Sequence, residues 1–131
     1  MLLVEDDAVQ RERMRGWLEG PRWTVREAEN GREALNRIRE SKPDVILLDL
    51  MMPEMDGFAV VAALQKEPRW RDIPVIVITA RDLDAKDRER LNSGVQSVLV
   101  KETFRPAELV ERIRRLVPSK PLVGSGMEAA S

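Results

Sequence analysis

The chain has 131 residues, 43% hydrophobic and 34% charged, with a formal net charge of −1; this suits a single compact domain with one core, and no global field recommends nucleic acid or an anionic membrane as partner. Cysteine and histidine are both absent, which excludes disulfides, thiolate and zinc sites, a Ser-His-Asp triad and a phosphohistidine carried by the chain itself. The chemistry must run on carboxylates, hydroxyls, lysines and backbone groups, and with no signal peptide and no membrane-length apolar run the expected location is cytoplasmic.

Met1 to Val4 is apolar and runs directly into Glu5-Asp6-Asp7, so a first buried strand ends in an acidic cluster. Asp7 is placed to cap the helix that follows, where Met14, Trp17 and Leu18 share one face before Gly20-Pro21 stops it. Trp23 to Ala28 alternates more, as a strand nearer a sheet edge does. Asn30 with Glu33 three residues on has the form of a capping box, and Ala34, Leu35 and Ile38 give the buried stripe of a second helix.

Val45-Ile46-Leu47-Leu48-Asp49-Leu50-Met51-Met52-Pro53 is a short continuous apolar run, bounded by Lys42-Pro43 on one side and by Pro53 and Asp56-Gly57 on the other. It reads as a strand buried on both faces, with Asp49 at its C-terminal edge. Gly57 to Lys66, carrying Phe58, Val61, Ala62 and Leu64, suits a third helix ended by Pro68. Val75 to Thr79 is a second fully apolar run that delivers a hydroxyl to its end. Arg81 to Leu91 is almost entirely charged and predicts a lightly buried helix, anchored by Leu83 and Leu91 and closing on Gly94. Val98-Leu99-Val100 is a short strand ending in Lys101. Pro106 then opens a last amphipathic helix with Leu109, Val110, Ile113, Leu116 and Val117. Residues 118–131 are rich in Gly, Ser, Pro and Ala, so the expected organisation is a folded domain over 1–117 and a disordered tail or linker over 118–131.

Five strands alternating with five helices through short connections define a parallel α/β sheet covered on both faces. In such a sheet ligands gather beyond the C-terminal strand edge, and that edge receives Glu5 and Asp6, then Asp49, Thr79 and Lys101. Three convergent carboxylates repel, so they raise their pKa values or gather a cation, and an all-oxygen site suits Mg2+. A hydroxyl and an ammonium across from them make sense as ligands for an anion, such as a phosphoryl group on Asp49. Each residue also has a bland reading: Glu5 as a helix cap, Thr79 as an ordinary strand residue, Lys101 as a solvated lysine. Asp7 is left as a cap, Glu54 and Asp56 as turn residues, Trp17, Trp23 and Trp70 as packing and surface residues, and 81–90 as a solvated helix face.

Leu2-Leu3-Val4-Glu5-Asp6-Asp7, Asp44 to Pro53, Asp56-Gly57, Ile73 to Ala80 and Val98-Leu99-Val100-Lys101 resemble, in order and spacing, the response-regulator receiver domain, from Met1 to about Val117. The resemblance implies a doubly wound, flavodoxin-like sheet in the order 2-1-3-4-5. It implies that Asp49 accepts a phosphoryl group from the phosphohistidine of a histidine kinase or histidine phosphotransfer protein, then passes the signal to a downstream protein target. Asp6 would bind Mg2+ directly, Glu5 through water, and the Met51 backbone carbonyl would complete the protein ligands. Thr79 and Lys101 would each hold a phosphoryl oxygen, and the acyl phosphate would be lost to water, making a timed switch. A homodimer through the last two helices and the strand between them is the candidate assembly, and neither nucleic acid nor membrane is an expected direct partner.

Two positions depart from the pattern. Glu102 stands where the family commonly has a proline in a cis peptide; a cis bond without proline costs about 2.5–4 kcal/mol, which leaves a trans bond with a rebuilt loop or a strained exception. Val98 stands where a switching aromatic is common, so the usual ring readout is missing or altered. The competing readings are a degenerate receiver used for protein contacts and an aspartyl-phosphate phosphatase. The latter usually has a second Asp two residues after its nucleophile, where this chain has Met51. The alternatives are a stand-alone receiver and the receiver segment of a larger protein such as a hybrid histidine kinase, and the start at the first strand favours the latter.

Overall fold

The computed structural model describes residues 1–18, 23–50, 52, 55–80, 83–91, 95–100 and 105–116. Strands and helices alternate from end to end: β1 (Leu2–Val4), α1 (Ala8–Leu18), β2 (Arg26–Ala28), α2 (Gly31–Glu40), β3 (Ile46–Asp49), α3 (Gly57–Lys66), β4 (Val75–Thr79), α4 (Ala85–Arg90), β5 (Val95–Val100) and α5 (Pro106–Leu116). The sheet is parallel, in the order β2-β1-β3-β4-β5. The strand order reverses direction between β1 and β3, and the crevice outside their C-terminal ends is where a ligand site forms in such a sheet.

The two faces of the sheet follow from strand alternation. Leu2, Val4, Ile46, Leu48, Val75 and Val77 point to the side packed by α2 and α3. Leu3, Leu47, Ile76 and Ile78 point to the other, against Met14 and Leu18 of α1 and Leu109 and Ile113 of α5. Every residue of β3 and β4 is buried, which is why these two runs lack the polar alternation of an edge strand.

Helix starts carry the caps their sequences call for. Asn30 accepts from the Glu33 N–H at 2.8 Å, while the Glu33 carboxylate accepts from the Glu29 N–H at 2.9 Å, so Asn30 and Glu33 each satisfy a backbone donor at the start of α2. Asp56 and Asp84 cap α3 and α4 in the same way, accepting from the Ala59 and Asp87 N–H groups.

Element boundaries differ from expectation at three places. β2 covers Arg26–Ala28 instead of Trp23–Ala28, because only these residues find register partners on β1; Trp23 packs against the core without joining the ladder. α4 covers Ala85–Arg90, because the Asp84 cap starts it late and its charged sequence buries no residue; Leu83 and Leu91 flank it as buried anchors. β5 begins at Val95 instead of Val98, with a register irregularity opposite Val75 and Ile76. The expected stops at Gly20-Pro21 and Gly94 lie outside the described residues, as does the expected tail over 118–131. Trp17 packs with Trp23 on one core and Trp70 on the other, so all three tryptophans are packing residues. Arg69 lies over the Trp70 ring at 5.9 Å and Arg90 over Phe58 at 4.0 Å.

Candidate functional site

β1 ends at Val4, yet the Glu5 N–H still donates to the Ala28 carbonyl of β2 at 3.1 Å, so Glu5 leaves the sheet in a fixed direction. The Asp7 side chain then caps α1, its Oδ1 accepting from the Val9 and Gln10 N–H groups at 2.9 and 3.1 Å. Between these two constraints Glu5 is buried, Asp6 exposed, and the Asp7 N–H donates to Glu5 Oε2 at 3.2 Å. Asp7 is therefore a cap, as its position after a strand suggests, and Asp56, expected as a turn residue, is a cap as well, its side chain taking the Ala59 N–H at the start of α3.

Asp49 closes β3, paired in register with Ile78 of β4. One residue further along β4, Thr79 pairs with Val100 of β5 and is 1% exposed. Asp49 is itself only 3% exposed and Glu5 1%. One carboxylate oxygen from each of Glu5, Asp6 and Asp49 lies within 4.8 Å of the others. Two buried carboxylates and an exposed one this close, in a chain with no histidine or cysteine, form an all-oxygen donor set. That is the chemistry a hard divalent cation such as Mg2+ requires, and the charge of a cation is what offsets their mutual repulsion.

Glycine lets the neighbouring segments approach this pocket. A Cβ on Gly57 would fall 2.7 Å from both the Asp49 carbonyl oxygen and the Leu50 Cα. Its absence lets α3 begin against the backbone of Asp49, with the Gly57 N–H donating to the Leu50 carbonyl at 3.0 Å. Gly31 plays the same part at α2, where a Cβ would collide with the Met55 carbonyl oxygen and side chain.

Of the expected site residues, the fold brings together Glu5, Asp6 and Asp49 and sets Thr79 on the adjoining strand end. Met51, Glu54, Lys101 and the Glu102 junction lie outside the described residues. Val98 is half-buried, packs against the core that includes Leu83 and Leu91, and lines a groove of about 180 Å3 with Leu83, Arg88, Leu91 and Val95. A further group was not anticipated: Arg11 and Arg15 of α1 both bind Glu27 on β2. Burial pushes the Glu27 carboxyl up, but the hydrogen bonds and charges of Arg15 and Arg11 outweigh it and hold the carboxyl below its ordinary value. Three charged residues at 11, 15 and 27 carry that signal in the sequence only once α1 is known to lie beside β2.

A parallel sheet in this order, with an acidic trio at its switch point and a hydroxyl at the adjoining strand end, fits a phosphoacceptor signalling domain of the two-component type. The family model "Response regulator receiver domain" matches residues 1–114, and the chain belongs to that family. It is 37% identical over 131 residues to "Response regulator MprA" of Mycolicibacterium vanbaalenii, covering 99% of this chain and 55% of that protein. It is 40% identical over 118 residues to "Phosphate regulon transcriptional regulatory protein PhoB" of Escherichia coli, covering 89% and 51%. The chain thus spans about half the length of the curated relatives it matches. Among solved structures it resembles the signal receiver domain of a signal transduction histidine kinase from Syntrophus aciditrophicus, with a TM-score of 0.79 and 33% identity over 99% of this chain and 92% of that one. The comparisons lend nothing to the phosphatase or contact-only readings. Among the described residues no helix is long and apolar enough to cross a membrane.

Proposed function

We propose that Asp49 is the phosphoacceptor, and that Glu5 and Asp6, with the Met51 carbonyl, hold Mg2+ beside it. The observation that supports this is a buried carboxylate at the end of the central strand with two further carboxylate oxygens within 4.8 Å. An Asp49 oxygen attacks the phosphorus of a phosphohistidine on a histidine kinase or histidine phosphotransfer protein. The O–P bond forms as the P–N bond breaks, and the imidazole leaves with the nitrogen electron pair. Bound Mg2+ supplies neutralising charge at the phosphoryl oxygens. The Thr79 hydroxyl donates to one of those oxygens and the Lys101 ammonium to another. Water later cleaves the acyl phosphate and resets the domain.

In this reading the functional unit is residues 1–117 of a cytoplasmic phosphorelay, with 118–131 a tail or linker. Its output is read by a downstream protein. The test is incubation with Mg2+ and a small acyl-phosphate donor, followed by intact mass over time beside Asp49→Asn. One phosphoryl adduct that requires Mg2+, is lost in Asp49→Asn and decays on standing is the expected result. Absence of an adduct with both the small donor and a phosphorylated histidine partner would refute the reading.

A further inference from the structure

Glu5 stands one residue beyond β1. Its N–H is held by Ala28 of β2, and its carbonyl is held from the other direction by α1: Arg11 Nη1 donates to the Glu5 carbonyl oxygen at 2.8 Å. The same guanidinium donates from Nε to Glu27 Oε1 at 2.8 Å, and Arg15 takes the other Glu27 oxygen. The Arg11 side chain is only 17% exposed. A planar guanidinium whose Nε and Nη1 donate to acceptors on β2 and on the turn after β1 has little freedom to turn. Glu27, clamped by two arginines and carried on a strand, is a firm anchor for it.

Both of these Arg11 bonds go to groups other than the side-chain oxygens offered to a metal. The guanidinium therefore steadies the turn through its main chain, without itself occupying those oxygens. The Arg11 backbone N–H also donates to the Asp7 carbonyl at 2.8 Å, so the residue grips the turn at both ends, Glu5 and Asp7. Asp6 lies between the two grips.

We propose that Arg11, oriented by Glu27, is a positioning residue for the metal-binding turn, fixing the backbone from which Glu5 and Asp6 reach a divalent cation. This role presupposes that the Glu5, Asp6 and Asp49 cluster is a Mg2+ and phosphoryl site.

The test is calorimetric titration of the full chain with MgCl2, alongside phosphoryl incorporation from a small acyl phosphate, for wild type, Arg11→Ala, Arg11→Lys and Glu27→Gln. Melting in EDTA is recorded for each. Groups that orient metal ligands typically contribute about 10-fold or more to affinity, so Arg11→Ala is expected to weaken Mg2+ binding by about 10-fold. Its slower phosphoryl uptake should recover when Mg2+ is raised to saturation, which general damage to the fold would not do. Arg11→Lys, able to reach one of the two acceptors, should recover part of the affinity, and Glu27→Gln should fall between wild type and Arg11→Ala.

An Arg11→Ala protein that melts lower in EDTA but binds Mg2+ as tightly as wild type would overturn the proposal and leave Arg11 a simple tie between α1 and β2. Should Arg11→Ala fail to fold, wild-type affinity in both Arg11→Lys and Glu27→Gln would overturn it equally. Wild-type protein that takes up neither Mg2+ nor a phosphoryl group would refute the underlying site as well, and that outcome is visible before any substitution is made.

Discussion

Asp49→Asn should stabilise the protein in the absence of divalent cations. Glu5 and Asp49 are 1% and 3% exposed, with carboxylate oxygens within 4.8 Å of each other. Two unit charges at that separation repel by about 3.5 kcal/mol at an effective dielectric of about 20. The amide keeps the volume of the carboxylate but loses its stronger acceptor character, which returns part of that gain. A net stabilisation of about 1–2 kcal/mol remains, and for a domain of 131 residues this raises Tm by about 3–10 °C. The assay is calorimetric or fluorescence-monitored melting in EDTA, repeated in excess Mg2+. With Mg2+ the difference should narrow, because wild type gains about 2.7 kcal/mol at a hundredfold excess over Kd and the variant, short of one ligand, gains less. An Asp49→Asn protein that melts at or below wild type in EDTA would refute the reasoning, since the carboxylates would then not be repelling one another in the folded state.

The remaining expectations test the scaffold. Gly31→Ala drives a Cβ into the Met55 carbonyl and should destabilise by about 1–3 kcal/mol, as overpacking does, read from the urea midpoint. The Glu27 carboxyl is held below its ordinary 4.5 in the folded protein, so its contribution to stability is present above that value and is lost as pH falls through the folded pKa. Urea midpoints followed through pH 4.5 and below should accordingly fall less steeply for Glu27→Gln than for wild type. Amide hydrogen exchange should find α4 the least protected of the helices, because none of its residues is buried; protection equal to that of α2 would contradict this.

The strand-end placement of Asp49 and Thr79 was legible because each closes a buried apolar run. Ile46 to Asp49 and Val75 to Thr79 carry no alternation, so both faces had to be covered, and the polar residue at the end of each run had only the sheet edge to occupy. Caps were legible at Asn30 and Asp7, which act through neighbours two or three residues away, whereas Asp56, read as a turn residue, proved to cap α3. Edges were less so: Trp23 is apolar enough to extend β2, but register with β1 comes from across the sheet and not from composition. Arg11 was invisible for a similar reason. A lysine-like or arginine-like residue on a helix ordinarily reads as solvated, and only the three-dimensional placement of β2 shows that its guanidinium bridges Glu27 and a main-chain carbonyl. Gly31 and Gly57 could be read as turn formers, whereas their role is to admit a neighbouring backbone.

The sparse seating of α4 sets the energy scale on which the domain can change state. The six-residue helix hangs between Leu83 and Leu91, and the groove at its flank opens onto Val95 and Val98. Among the described residues, unseating it would uncover chiefly those two leucines, about 3–6 kcal/mol of apolar burial, and would lift Arg90 from the Phe58 ring, with part of the cost returned as chain entropy. A gap of a few kcal/mol would leave an unseated form populated at about 0.1–10%. A differential interaction of about 5.5 kcal/mol would carry such an equilibrium from one form to the other, and a few charge-assisted hydrogen bonds at a strand end reach that scale. Event and response would then be matched in size, with the fully buried β3 and β4 as the fixed frame against which one lightly attached helix moves.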